Sequence, residues 1–222
     1  NNPNNWNPVG VPDINTCVVI PDVSSTNPSN ILGAGYNAFG KTLQVKNLGN
    51  LQIQPTNTLT IQDYVDVTTG GTFDIENSAS LIQINNVANT GIINMRRNAV
   101  ADGSLDYVYW STPVAGFDVN NITPLSTRVY SWSPTTASGY TSDFGNWAVA
   151  TGGMTNGLGY IVGGSAGNTT FTGVPNNGDI TTPISRSTYT GAAYTGPTST
   201  QVTADDDNWN LLGNPYPSAI SA

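Results

Sequence analysis

One short pattern recurs along the first half of this sequence and limits the folds that the chain can adopt. Two apolar residues flank a third residue, the pattern returns every six to eleven positions, and turn-forming residues separate the copies. An alternation of period two is typical of a β-strand with one buried face. The copies are Leu43/Val45, Leu51/Ile53, Leu59/Ile61, Val65/Val67, Phe73/Ile75, Ile82/Ile84 and Ile93/Met95.

Strands this short suit a β-solenoid, in which each strand pairs with its equivalent one coil away. Two strands per coil predict coils of 14 to 17 residues. We expect residues 1–40 to cap one end of the stack, and the turn residues Asn47, Asn57, Asn77 and Asn85 to tolerate positive φ. The alternative is an ordinary antiparallel meander.

The second half has longer alternating strands and most of the large aromatic residues. Segments 106–110, 127–132 and 159–163 alternate apolar and polar residues, and Gly/Asn turns separate them irregularly. This texture predicts an antiparallel β-sandwich of jelly-roll type. The polar stretch 98–104 divides the chain into a capped solenoid over 1–100 and a sandwich over 105–222, so the predicted class is all-β throughout.

The composition excludes several classes of function. The chain has no histidine and one cysteine, which rules out a Ser-His-Asp triad, a Cys/His zinc site and an internal disulfide. Six Lys and Arg against fourteen Asp and Glu give a net charge of −8, so we expect no nucleic-acid partner and no membrane insertion. Cys17 lies in an apolar run and is predicted to be a buried core thiol.

Several segments resemble repeats in very large secreted proteins of Bacteroidota. The resemblance is carried by Asn5–Pro12, Val18–Pro21, Tyr107–Val114, Gly157–Ile161, Phe171–Ile180 and Trp209–Ser218, and it covers nearly the whole chain. It implies export by type IX secretion, an extracellular or cell-surface location, and a role in adhesion or in gliding-motility filaments. The partners it implies are other domains of the same long chain and the secretion or surface-anchoring machinery. In relatives the Trp209–Ser218 motif is followed by more strands, so we expect a fragment whose second domain is truncated.

The aromatic residues of the second half are the first candidates for a ligand site. Flat rings stack on sugar rings, and Tyr130 and Trp132 alternate along one strand, so both face one side of it. Tyr140 and Trp147 follow in nearby Gly/Ser-rich segments. These four residues are our candidates for glycan stacking, whereas Trp110 and Trp209 are expected to lie in the core.

The densest acidic run is Asp205–Asp207. A hard cation such as Ca²⁺ would relieve the repulsion of three adjacent carboxylates, and Asp205 and Asp207 are its candidate ligands. A solvated loop is the alternative, because the spacing is not that of an EF-hand. The sequence therefore implies no cofactor other than this possible calcium ion.

The solenoid acids raise one enzymatic possibility. Asp63, Asp66, Asp74 and Glu76 lie in the repeats, and Asp66 and Asp74 occupy equivalent positions, which predicts that both face outward on one side. Two facing carboxyls would suit a polysaccharide hydrolase or lyase. A non-catalytic structural or adhesive segment is our main hypothesis. The alternative is a carbohydrate-binding accessory region of a secreted polysaccharide-degrading enzyme.

Overall fold

The computed structural model describes most of the 222 residues. The described residues are 2–22, 29–100, 103, 105–122, 128–137, 144–164, 167–186, 194–195, 201–202 and 209–220. Almost all regular structure in them is β-strand; two short 3₁₀ turns, Pro3–Asn5 and Val119–Asn121, complete it. No helix among these residues is long and apolar enough to cross a membrane.

Nine short strands build the N-terminal part as three stacked coils with three strands each. They are β1 (Cys17–Ile20), β2 (Ser29–Ile31), β3 (Asn37–Gly40), β4 (Thr42–Val45), β5 (Asn50–Ile53), β6 (Thr58–Ile61), β7 (Val65–Val67), β8 (Thr72–Ile75) and β9 (Ser80–Gln83). All pairing between coils is parallel, in the orders β1-β4-β7, β2-β5-β8 and β3-β6-β9. The predicted solenoid is confirmed.

The coil is longer than the sequence spacing predicted. Leu43 pairs with Val65, and Leu51 pairs with Phe73, so equivalent residues are 22 positions apart. The prediction of 14 to 17 residues assumed two strands per coil, whereas the chain turns three corners before it returns to the same sheet. A one-dimensional pattern of strands and turns does not state how many sides a coil has.

Burial follows the predicted alternation in six of the seven copies. In β4, β5, β6 and β8 the two apolar residues are buried and the other two are partly exposed. The exception is Ile82/Ile84, whose side chains are both exposed, whereas Leu81 is buried. Leu81 pairs with the buried Leu59 one coil earlier. A shift of one residue exchanges the two faces of a strand, which is the error the sequence prediction made here.

Three smaller expectations about the solenoid are also wrong. Residues 29–40 are not a cap, since β2 and β3 belong to the first coil. Cys17 is exposed because Val18 and Ile20 take the inward positions of β1. Among the residues that the structure describes, those other than glycine with positive φ are Leu48, Thr56 and Ser78, each directly next to a predicted asparagine and not the asparagine itself.

Among the described residues, eight further strands follow the solenoid. They are β10 (Ile93–Ala99), β11 (Tyr107–Trp110), β12 (Val129–Ala137), β13 (Phe144–Val149), β14 (Tyr160–Gly163), β15 (Gly167–Gly173), β16 (Tyr194–Thr195) and β17 (Gln201–Val202). β10 pairs with β8 in parallel and with β15 in antiparallel, so one solenoid sheet continues into the second half. β16 and β17 form a separate two-stranded pair.

Four strands form what we call the antiparallel sheet, in the order β11-β14-β12-β13. Its inner face packs on β15, which continues one solenoid sheet through β10, and the ring of Trp110 lies 5.7 Å from that of Phe171 in β15. Phe117 contacts the same phenylalanine at 4.6 Å between ring centroids. The all-β class, with a solenoid followed by antiparallel structure, is therefore confirmed. The predicted division at residues 98–104 stays a prediction.

Candidate binding surface

The outer face of the antiparallel sheet is lined by aromatic side chains. Directly paired residues of neighbouring antiparallel strands point to the same face. Tyr109 pairs with Ile161, which pairs with Tyr130, and Trp132 pairs with Trp147. Tyr107 shares the face because it lies two positions from Tyr109. We call Tyr107, Tyr109, Tyr130, Trp132 and Trp147 the aromatic face.

The opposite face of the same sheet forms the core. Trp110, Val129 and Val162 are buried there. This alternation explains why the aromatic face exists: each strand places its other aromatic and β-branched residues inward, and the pleat leaves the remaining rings on the outside. Tyr109 is 66% exposed and Trp147 is 38% exposed.

Four of the five rings of the aromatic face lie in two contacting pairs. Trp132 and Trp147 meet edge to face, with ring centroids 5.1 Å apart and planes at 73°. Tyr107 and Tyr130 lie 6.3 Å apart. The Trp132 indole Nε1–H also donates a 2.9 Å hydrogen bond to the backbone oxygen of Trp209. These contacts fix the rings before any ligand arrives, which lowers the entropic cost of binding.

One cation lies at the edge of the aromatic face. The guanidinium carbon of Arg128 sits 5.1 Å from the ring centre of Tyr107, within cation–π distance. The side chain reaches that ring by passing over Gly163, where a Cβ would lie 2.7 Å from the guanidinium carbon. Because Gly163 has no side chain, it leaves room for the Arg128 side chain to reach the ring of Tyr107 on β11.

The structure brings three of the four predicted glycan-stacking residues together. Tyr130, Trp132 and Trp147 share the face, whereas Tyr140 lies outside the described residues. The prediction missed Tyr107 and Tyr109, although the alternation Tyr107-Val108-Tyr109-Trp110 was visible in the sequence. No local signal showed that their strand would lie in the same sheet as β12 and β13.

The two expectations for buried tryptophans have different outcomes. Trp110 is 8% exposed, as expected for a core residue. Trp209 is 68% exposed, so its assignment to the core was wrong. Its backbone, and not its ring, serves the sheet by accepting the hydrogen bond from Trp132.

The solenoid carboxylates do not form a facing pair. Asp66 and Asp74 both point outward, but Asp66 lies on β7 and Asp74 on β8, which belong to different sheets. The prediction that they share one side is wrong, because a three-sided coil sends consecutive strands in different directions. Asp74 and Glu76 both pair with Arg96.

Asp66 is held by neutral donors. Its carboxylate accepts hydrogen bonds from Thr90 Oγ1 at 2.6 Å and from Gln44 Nε2 at 2.7 Å. These bonds, with that of Thr90 the larger influence, lower the pKa of Asp66 below its ordinary value. A carboxylate held in the ionised form accepts hydrogen bonds well but is a poor general acid at neutral pH.

No metal centre is visible in the described part of the chain. It contains no cluster of three or more Asp, Glu or Cys residues that could hold an ion. The predicted calcium ligands Asp205 and Asp207 lie outside that part.

The chain matches a known family along its whole length. A family described as a domain of unknown function, DUF8693, matches residues 1–222. The chain therefore belongs to that family. No curated protein and no solved structure matches the chain.

Proposed function

We propose that this DUF8693 domain is a non-catalytic structural and adhesive segment of a large secreted bacterial surface protein. In this proposal the solenoid is a stiff spacer and the aromatic face makes the adhesive contact. The location would be extracellular or on the cell surface, and its partners would be neighbouring domains, the secretion or anchoring machinery, and surface glycans.

The observation that carries the proposal is the exposed aromatic face. Tyrosine and tryptophan combine a flat apolar ring with a polar tip, which suits the alternating apolar faces and hydroxyl rims of sugars. The rings come from three of the four strands, from Tyr109 on β11 to Trp147 on β13, and the buried Ile161 of β14 lies between the rings of β11 and β12. Strands lie about 4.8 Å apart, so the platform is long enough to contact several units of an extended glycan.

The solenoid supports the spacer role through its satisfied outer surface. Its outward polar side chains bond to their equivalents one coil away, as Gln44 does with Asp66 and Asn94 with Asp74 at 3.0 Å. Side chains that are committed to each other are less available to a ligand. Weak contacts from one such domain would gain strength if several copies act together.

Binding to immobilised polysaccharides tests the adhesive part of the proposal. Tyr109→Ala and Trp147→Ala should each weaken retention about fivefold, because each removes an exposed ring worth about 1 kcal/mol. Phe39→Ala is the matched control: Phe39 is 40% exposed on the solenoid, away from the aromatic face, and its loss should leave retention unchanged.

The same assay has a clear negative result. Equal retention of the parent domain and both ring variants on every polysaccharide would contradict adhesion through this face. Repeating the assay with a chelator tests whether calcium contributes, since the acidic run at residues 205–207 is the expected ligand set.

The second candidate function is a carbohydrate-binding accessory region of a secreted polysaccharide-degrading enzyme. The aromatic face favours it as well, so the two candidates differ in the rest of the parent chain. Peptide mapping of the native protein, after protease treatment of intact cells, would separate them. Surface-released peptides from repeated β-domains favour the adhesin, and peptides from a degradative domain favour the enzyme.

A further inference from the structure

A recess lies where the solenoid meets the antiparallel sheet. Its volume is about 290 Å³, close to the lower limit for small-molecule sites. The buried side chains of Met95, Trp110 and Phe171 line it, and Leu212, which is exposed, lies at its rim. Arg97 and Ser111 are among its polar lining residues. We call this recess the Arg97 cleft.

Arg97 is a partly buried cation without an acidic partner in the described structure. Its Nη1 donates to the backbone oxygens of Glu76 at 3.1 Å and of Arg96 at 2.7 Å, and its Nη2 donates to that of Ala79 at 2.8 Å. The ion pairs among the described residues belong to its neighbour Arg96. Burial lowers the pKa of Arg97, as expected for a cation that lacks a counter-charge.

The three backbone carbonyls use only part of the hydrogen-bonding capacity of the Arg97 guanidinium. The group carries five N–H donors, and three are engaged. One N–H of Nε and one of Nη2 remain, and these two nitrogens are neighbours at one edge of the planar group. Two donors on one edge match the two oxygens of a carboxylate.

Ser111 supplies an independent sign of an unfilled polar position. Its hydroxyl oxygen is buried and has no hydrogen-bond partner. A buried polar atom without a partner is unfavourable, and native proteins retain few of them. The hydroxyl and the unpaired guanidinium edge belong to residues of the same cleft.

We propose that the Arg97 cleft binds a small ring-bearing carboxylate. The carboxylate would pair with the free edge of Arg97, and the ring would lie among Met95, Trp110 and Phe171. Either a free aromatic acid or a uronic acid unit of a glycan offers this chemistry. Tyr109 of the aromatic face also lines this cleft, but the proposal rests on Arg97 and Ser111 and does not require glycan binding by the aromatic face.

Titration of the domain with benzoate and with D-glucuronate tests the proposal. We expect the Arg97 Nε–H and Trp110 indole resonances to shift with at least one acid, whereas benzyl alcohol and methyl glucoside leave the Arg97 resonance in place. Tighter binding of benzoate would indicate a free aromatic acid, and tighter binding of glucuronate a sugar acid. An Arg97 resonance unmoved by both acids overturns the proposal.

Variants separate a binding role of Arg97 from a structural one. Arg97→Lys keeps the charge but loses the two-donor edge, so affinity should fall about tenfold or more. Arg96→Lys, on the outer face of the same strand, should bind like the parent. Unchanged affinity of a folded Arg97→Lys domain would contradict the proposal.

A second pair of variants leaves Arg97 in place. Leu212→Asp adds a negative charge at the rim and should reduce affinity about tenfold relative to Leu212→Asn, which has the same size without the charge. Equal affinity of these two variants would overturn the proposal even if Arg97→Lys failed to fold.

Discussion

The solenoid and the antiparallel sheet use their outer surfaces in opposite ways. Most outward positions of the solenoid strands carry polar side chains, and several of these bond along the stack, such as Gln44 to Asp66 at 2.7 Å and Asn94 to Asp74. Val19, Phe39 and Ile82 are apolar exceptions. Outward positions of the antiparallel sheet carry the aromatic face. Parallel stacking repeats the same position every coil, so complementary polar residues can satisfy each other, whereas the aromatic face keeps rings that a ligand can contact.

Their interiors differ as well. Among the described buried residues of the solenoid strands, Phe73 is the one aromatic, and the rest are aliphatic. The junction with the antiparallel sheet packs Trp110, Phe117 and Phe171 together. The comparison therefore predicts that solenoid stability resides in its interior, and that the outer rings of the sheet serve binding more than folding.

The largest expected effect is the loss of the solenoid's interior ring. Phe73 is fully buried, so Phe73→Ala should reduce the free energy of unfolding by about 3–5 kcal/mol. Tyr109→Ala, which removes an exposed ring, should cost less than about 1 kcal/mol. Urea unfolding of both variants measures the difference, and similar losses would end the distinction between an interior ring and a binding ring.

A glycine comparison sharpens the contrast in packing. Gly91 has φ of +79°, and a Cβ there would lie 1.8 Å from the backbone oxygen of Val67 in the solenoid. Gly116, in the second half, has φ of +71° with nothing within 4 Å. Gly91→Ala should therefore cost more than about 2 kcal/mol, and Gly116→Ala about 1 kcal/mol, from backbone strain alone.

Thermal denaturation of the two glycine variants provides the measurement. If Gly116→Ala destabilises the domain as much as Gly91→Ala, the close contact between Gly91 and the backbone of Val67 does not explain the cost of a side chain at position 91.

The smallest expected effect concerns the polar ladder and pH. The pKa of Asp66 is lowered in the folded chain, so its contribution to stability is present above the ordinary value of 3.8 and is lost as pH falls through the folded pKa. The contribution should stay below about 1 kcal/mol, because the group is largely solvated. Thr90→Val removes the stronger of its two hydrogen bonds.

Urea midpoints of the parent and of Thr90→Val, measured at about pH 5 and about pH 3, isolate the contribution of the ionised Asp66 carboxylate to stability. The difference between the two proteins should shrink at the lower pH. A difference that is constant with pH would assign the effect of Thr90→Val to packing instead of to the carboxylate.

Several features could be read from the sequence because they depend on local periodicity. Leu43/Val45 and Phe73/Ile75 alternate with polar residues, and a strand can bury such a pair on one side wherever it lies in the fold. The same logic placed Tyr130 and Trp132 on one face. It failed at Ile82/Ile84, because this strand has apolar residues on both of its faces. The side that is buried is the one with Leu81, which pairs with Leu59 of the neighbouring coil.

Features that join distant segments could not be read in this way. The partner of Trp132 is Trp147 across a strand pair, and Tyr109 reaches the same face through β14. The Arg97 cleft is assembled from β10, β11, β15 and the segment near Leu212. Each of these depends on which strands become neighbours.

The sequence by itself determined an all-β chain with a repetitive solenoid, no imidazole chemistry and few basic residues. Composition is the same in any fold, and period-two alternation is a property of each strand alone. The tertiary structure decided the 22-residue coil, the separation of Asp66 from Asp74, the aromatic face and the Arg97 cleft. The physical reason is that strand pairing sets these features, and pairing depends on contacts between residues far apart in the chain.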